Sequence, residues 1–321
     1  MNIKTDLKDR KILYELDKDS RQSNKQIAKK VSLSEQVVGN RIKRLLELKI
    51  IDYFQVKINP ATLGYLHVKI YLRFHNLSTE KKEQLVQELQ TRPGVFWLVS
   101  LRGKYDLGVS IYVKNLTEFS QNYESLLGRW GEYITNRNVI LLEKAYTYTK
   151  TYLVPQQNRE LFEYGGGKEI VSLDEVDFRL LQILNREGRA SLLEIAQKLQ
   201  VSSNTIRYRL GHLMKKGIIT GFGAKINFKQ LSYTYSLLLL KLQNMTTERY
   251  AALESWSKLN KNIIIYIKTI GDHEAELEVE TINREELDAV LKSLQDNFVS
   301  EIKDYELLEV TTEHRMTYFP F

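Results

Sequence analysis

The chain has 321 residues, 47 Lys and Arg against 40 Asp and Glu for a net charge of +7, five His, no Cys and 43% apolar residues. No stretch approaches the roughly 18 consecutive apolar residues of a membrane span, and the charged start holds no apolar signal core, so a cytoplasmic chain with no membrane partner is expected. The lack of Cys excludes disulfides, thiolate zinc sites and thiol catalysis, while His67, His75, His212, His273 and His314 show no two-ligand spacing, so neither metal nor cofactor is expected.

In chain order, residues 6–49 carry three helical stripes: Leu7, Ile12, Leu13 and Leu16; Ile27, Ala28 and Val31; Val38, Ile42, Leu45 and Leu46. Ser23 with Gln26 predicts a capping box for the second helix. Ser34 is the expected N-cap of the third. After Ile50 and Ile51 the pattern turns extended, as a wing or exit strand. From residue 65 it predicts strand 65–74, helix 79–90, strands 95–101 and 105–113, helix 116–127 and strand 138–152. That βαββαβ order is a ferredoxin-like sheet with both helices on one face, so the other face needs a partner sheet. Tyr146, Tyr148 and Tyr152 read as a packing face of the last strand.

Pro155 to Asn158 and the triplet Gly165, Gly166 and Gly167 then read as a flexible joint, because no strand leads into a phosphate loop there. Beyond the joint the sequence repeats at an offset of 168 without a gap: Asp9 falls on Asp177, Arg21 on Arg189, Ser34 on Ser202, Arg41 on Arg209, Ile50 and Ile51 on Ile218 and Ile219, and Gly103 on Gly271. Ser191 and Glu194 repeat the capping box. Strands and helices are expected again at 233–242, 248–259, 263–270, 274–281, 284–298 and 302–310. Glu276, Glu278 and Glu280 alternate along one of these strands and are expected to face solvent or a basic partner surface. The fold class is α+β, two copies of a winged helix-turn-helix head plus a βαββαβ domain, divided as 1–59, 60–154, a linker 155–172, 173–227 and 228–321.

Charge separates the modules. Residues 1–59 carry +6 and 173–227 carry +4, whereas 60–172 carry +3 and 228–321 carry −6. Basic heads on a near-neutral to acidic body suit attraction to a phosphate backbone, although Lys-rich helices are also simply well solvated. With Val38, Ile42 and Leu45 facing inward, the third helix presents Gln36, Gly39, Asn40 and Lys43, flanked by Ser34, Arg41 and Arg44. Its counterpart presents Ser203, Asn204, Arg207, Tyr208 and Gly211, flanked by Arg209 and His212. Amide side chains grip adenine edges and Arg or Lys grip guanine edges, so these faces are candidates for double-stranded DNA. A protein-binding head with a polar outer face is the alternative.

The run from Val31 to Leu45, followed by Ile50 and Ile51, resembles the helix-turn-helix signature of the leucine-responsive regulatory protein/AsnC family of feast-or-famine transcription regulators; the run from Leu199 to Leu210 with Gly217, Ile218 and Ile219 resembles it too. The resemblance implies a βαββαβ ligand-sensing domain behind each head and dimers that join sensing sheets face to face, here within one chain as a pseudo-dimer open to further self-association. It also implies an amino-acid effector near a Gly-x-x-Asp turn, placing Gly103, Tyr105 and Asp106 in one candidate site and Gly271 and Glu274 in another. Glu274 departs from that pattern. From the residues alone, each turn is equally a hairpin Gly with a solvated acid. Lys49 stands where Gly217 precedes the Ile pair, so the first head is expected to end its third helix differently.

These features point to a sequence-specific DNA-binding regulator, with two unlike heads reading an asymmetric site. Siroheme decarboxylases resemble the same family and are the enzymatic alternative. The His- and Arg-rich strands expected of them are missing between Trp97 and Asp106, and His273 is a lone candidate acid, so no enzyme is expected. An architectural DNA binder without an effector is the third reading.

Overall fold

Side-chain caps start the helices where the sequence places them. In the computed structural model, which describes residues 5–154, 159–167, 169–319 and 321, Asp6, Ser23 and Ser34 cap α1 (Leu7–Lys18), α2 (Asn24–Val31) and α3 (Glu35–Glu47). The joint expected at Pro155 to Asn158 and the first four residues of the charged start lie outside the described residues. The head closes with β1 (Ile51–Ile58). Ile12, Leu13, Leu16, Ile27, Val38 and Leu45 are fully buried or nearly so, each contributing about 1.5–3 kcal/mol of transfer free energy. The second head repeats this with α6 (Glu175–Arg186), α7 (Leu192–Leu199), α8 (Ser203–Lys215) and β7 (Ile219–Ile226). Contrary to expectation, the two third helices end alike. Lys49 takes the left-handed conformation (φ 55°) that Gly217 takes at φ 70°.

β1 pairs antiparallel with β7, with Gln55 opposite Gly223. Because these two residues are also equivalents at the 168 offset, a pseudo-twofold axis passes through their pair. The contacts around it are reciprocal. Arg21 donates to the Gly188 carbonyl (3.0 Å) and Arg189 to the Ser20 carbonyl (2.7 Å), while Arg21 lies over Phe222 and Arg189 over Phe54, both at 5.2 Å. One ribbon therefore holds both heads.

Behind the ribbon, the first copy runs β2 (Leu66–Phe74), α4 (Thr79–Thr91), β3 (Val95–Arg102), β4 (Leu107–Val113), α5 (Leu116–Trp130) and β5 (Ile134–Tyr148); the second runs β8 (Thr234–Leu242), α9 (Thr247–Leu259), β9 (Ile263–Ile270), β10 (Ala275–Thr281), α10 (Arg284–Asn297) and β11 (Ile302–Met316). The two sheets do not stack as separate layers. β5 pairs with β2 and then crosses to β9, and β11 pairs with β8 and then crosses to β3. The order β2-β4-β3-β11-β8-β10-β9-β5 thus closes on itself through β2–β5 into an eight-stranded barrel. Full closure leaves those strands no free sheet edge. This crossing is why β11 runs to Met316, beyond the expected 310.

The triplet at 165–167 is not a loose joint. Leu161–Gly165 forms β6, paired with β5, and Gly165 (φ +84°) sits so close that an added Cβ would lie 2.8 Å from the Glu143 carbonyl oxygen. Helices cover the outside of the barrel, with Val68, Ile70 and Leu72 under α4 and α5 and Leu238, Leu240 and Leu277 under α9 and α10. Tyr146 and Tyr148 join the second of these cores. Among the described residues no helix is long and apolar enough to cross a membrane.

Candidate nucleic-acid interface

Helix three of each head turns its polar face outward because the opposite face is anchored by Val38, Ile42 and Leu45, or by Ile206, Leu210 and Leu213. Gln36, Asn40, Lys43 and Arg44 are exposed on α3; Asn204, Arg207, Tyr208 and His212 are exposed on α8, Tyr208 at 74%. Ser34 caps its helix by accepting from the Val37 N–H (3.3 Å), and Ser202 does the same for Thr205 (3.0 Å). Ser203 is half-buried. Arg207 donates to the Asn204 side chain at 2.8 Å, so those two side chains are held as a unit.

Two of the cations expected on this interface are already engaged. Arg41 bonds Asp6 (2.8 Å) and Asp9 (2.7 Å), and Arg209 bonds Asp174 (2.6 Å) and Asp177 (2.8 Å). Their carboxylate partners hold both guanidinium groups above their ordinary range. They tie helix three to helix one while leaving about a quarter of each arginine side chain exposed. Arg44 shares Asp9 at 3.1 Å, whereas its equivalent His212 stacks on Tyr208, ring centroids 6.3 Å apart.

The two turns expected to hold an effector are also committed. Asp106 accepts from the Phe74 N–H (2.8 Å), and Glu274 accepts from the equivalent Leu242 N–H (2.7 Å), so each acid secures the end of a strand. Gly103 (φ +134°) and Gly271 (φ +151°) press on the last strand of the other copy, where a Cβ would meet Leu308 at 2.9 Å or Ile140 at 2.7 Å. Tyr105 and its equivalent His273 point into the barrel and are buried. The longer Glu274 does the work of Asp106, and the geometry of both turns is accounted for by packing.

A further polar cluster lies where it was not expected. Glu276, Glu278 and Glu280 are buried inside the barrel rather than facing solvent, because β10 turns Ala275, Leu277 and Val279 outward under the helices. Across from them β2 turns His67, Lys69 and Tyr71 inward. Lys69 pairs with Glu276 and lies 3.5 Å from Glu278, Tyr71 donates to Glu276 at 2.8 Å, and the Tyr235 hydroxyl bonds Glu278. Burial alone would raise the Glu276 carboxyl, but the Lys69 ammonium holds it below its ordinary value; for Glu278 burial wins and the value rises. Lys150 bonds Glu280 at 2.6 Å, and the Tyr152 hydroxyl bonds the same carboxylate. The alternation of both strands carried this signal: three acids on one and His, Lys and Tyr on the other are complementary rows.

Two winged heads on one ribbon, each backed by half of a barrel, define a paired helix-turn-helix protein. The AsnC-type helix-turn-helix domain matches residues 6–46, and the winged helix-turn-helix DNA-binding domain matches residues 173–220. The chain is 34% identical over 121 residues to the HTH-type transcriptional regulator FL11 of Pyrococcus abyssi, covering 38% of this chain and 79% of that protein. It is 36% identical over 103 residues to the HTH-type transcriptional regulator Ptr1 of Methanocaldococcus jannaschii, covering 32% of this chain and 68% of that one. The chain belongs to the Lrp/AsnC family of helix-turn-helix transcription regulators. Its fold over the whole length is shared with the siroheme decarboxylase NirDL, at a TM-score of 0.66 and 15% identity, covering 98% of this chain and 94% of that one.

Proposed function

We propose that the chain is a sequence-specific regulator that acts as a built-in pseudo-dimer of unlike half-site readers, modulated by a small molecule. One observation carries this reading: a single ribbon clamps two recognition helices whose outward faces differ at nearly every paired position, Gln36 with Asn204, Gly39 with Arg207, Asn40 with Tyr208 and Lys43 with Gly211. A symmetric duplex would suit only one of them. Selection of bound fragments from random duplex DNA should return an asymmetric motif. Asn40→Ala or Lys43→Ala should relax one half of it, and Arg207→Ala the other, each at a cost of about 1–3 kcal/mol. A palindromic motif, or a motif indifferent to all three substitutions, would defeat the reading. Binding that discriminates little between sequences and falls steeply with salt would favour the architectural role.

A second reading has one feature behind it. Between the second head and the barrel lies an open cleft of about 1180 Å³, where Arg179, Arg186, Lys198, Lys229, His314 and Arg315 outnumber Asp52, Glu187 and Glu313, with Lys198 paired to Glu187 at 2.5 Å. That space and charge suit a large anion such as a tetrapyrrole, and a NirDL structure is a co-complex with an iron-uroporphyrin III analogue. An absorption titration with iron-uroporphyrin III decides between them: a regulator gives no saturable band shift.

A further inference from the structure

Where the ribbon lies over the barrel there is a partly open cavity of about 100 Å³ lined by Gln55, Lys57, His67, Lys69, Lys150 and Lys225, with the carboxylates of Asp17, Glu278, Glu280 and Glu313 also on its walls. On that measure one water needs roughly 10–15 Å³, so the space suits either several waters or one small organic molecule. Three of its four lysines are neutralised. Lys69 and Lys150 have their glutamates, and Lys225 bonds Glu313 at 2.6 Å.

Lys57 differs. Among the described residues no carboxylate lies within ion-pair distance of it; its ammonium donates to the Asp17 carbonyl at 3.2 Å and lies 3.5 Å above the Phe162 ring. The duplication explains the difference. Lys57 and Lys225 are equivalents, but the position equivalent to Glu313 is Ala145. Two further groups on the same cavity lack partners: Gln55 Oε1, on a side chain 5% exposed, and both ring nitrogens of His67, 8% exposed. Burial pushes the His67 imidazole down to about 3, so its ring is neutral and offers one donor and one acceptor. A buried cation without an anion and buried polar atoms without partners are each costly. All three residues line the one cavity.

We propose that this cavity binds a small organic acid carrying a hydrogen-bond donor, a short amino or hydroxy acid, with Lys57 taking its carboxylate and Gln55 and His67 its donor. The regulatory role of this site rests on the function proposed above, because Gln55 and Lys57 belong to the ribbon that fixes the heads. Binding itself does not depend on that reading.

The test is calorimetric titration of the full chain, without DNA, by L-alanine, L-serine, L-lactate and, as a probe lacking the carboxylate, L-alaninamide. Saturable binding of at least one acid is expected, at least tenfold tighter than the amide. Lys57→Met should weaken it by at least tenfold. Ala145→Glu, which restores the missing carboxylate, should abolish it, and thermal melts of both variants establish that they are folded. No saturable binding by the unaltered chain, or equal binding by a folded Lys57→Met, would mean that the cavity holds water only. Duplex binding with and without the acid is then a separate measurement, so failure of the regulator reading leaves the titration interpretable.

Discussion

Lys57 and Lys225 occupy equivalent positions of a repeated unit and stand on the two strands of one ribbon in opposite electrostatic states. For Lys225 burial pulls downward, but Glu313 prevails and holds the ammonium above its ordinary range; for Lys57 burial prevails and brings it down to about 8. The same divergence runs through the barrel. Where the first copy offers His67, Lys69 and Tyr71, the second offers Tyr235, Leu237 and Leu239; where the second offers Glu276, Glu278 and Glu280, the first offers Gly108, Ser110 and Tyr112. Duplication within one chain frees each half from having to match itself. The halves have become complementary, with the cations on one wall and the acids on the other.

The sharpest way to break that complementarity is to give one copy the other's residue. Lys69→Leu, the residue found at the equivalent position 237, leaves Glu276 and Glu278 buried without a cation. It should cost about 3–5 kcal/mol in denaturant unfolding. A loss below 1 kcal/mol would show that the two glutamates are already neutral in the folded chain.

The lysine pair gives the next test. Across the pH range from about 8 to the ordinary 10.5, the unfolded chain binds more protons at Lys57 than the folded chain, so stability attributable to this residue rises with pH over that window. The charges that set the value are Asp17, Asp19, Lys150 and Glu160. At pH 7 the buried charge therefore destabilises the fold, by about 3 kcal/mol for a depression of this size. Lys57→Met should raise stability at pH 7, with an advantage that shrinks toward pH 10.5. Lys225→Met should do the reverse at pH 7 by stranding Glu313. Melts of both variants at pH 7 and pH 10 decide it, and parallel behaviour of the two would erase the distinction drawn between them.

The smallest effect concerns the helix ends. Lys49→Gly should stabilise the first head by about 1 kcal/mol, since it relieves a side chain held at positive φ. Gly217→Lys should cost a similar amount in the second. An unchanged melting temperature for Lys49→Gly would show that the lysine side chain makes up for its backbone.

Helix starts were legible in the sequence because Ser23, Ser34 and Ser191 cap through contacts three residues away, and the repeat itself was legible because Asp9, Arg21 and Arg41 recur without a gap. Barrel closure was not, since the second halves of β5 and β11 pair with strands far away in sequence and periodicity carries no information about the partner. The glutamate row shows the same limit. Alternation at Glu276, Glu278 and Glu280 established that one face was acidic, but which face met solvent depended on the lysine opposite. On the DNA side, the outward residues of α3 and α8 followed from the apolar stripe. The capture of Arg41 by Asp6 and Asp9 did not, because it depends on how helix one leans on helix three.

The crossed strands have a consequence for synthesis. β3 and β5 find their outer partners only in β11 and β9, so a ribosome must complete nearly half of the chain after the first sheet has emerged. At about 5–20 residues per second, that sheet waits on the order of 10–30 s with two hydrogen-bonding margins bare. Such margins invite pairing between nascent neighbours on one message. The fused gene removes the need to meet a second subunit, yet it makes the first-made half the most vulnerable part of the protein during its own birth.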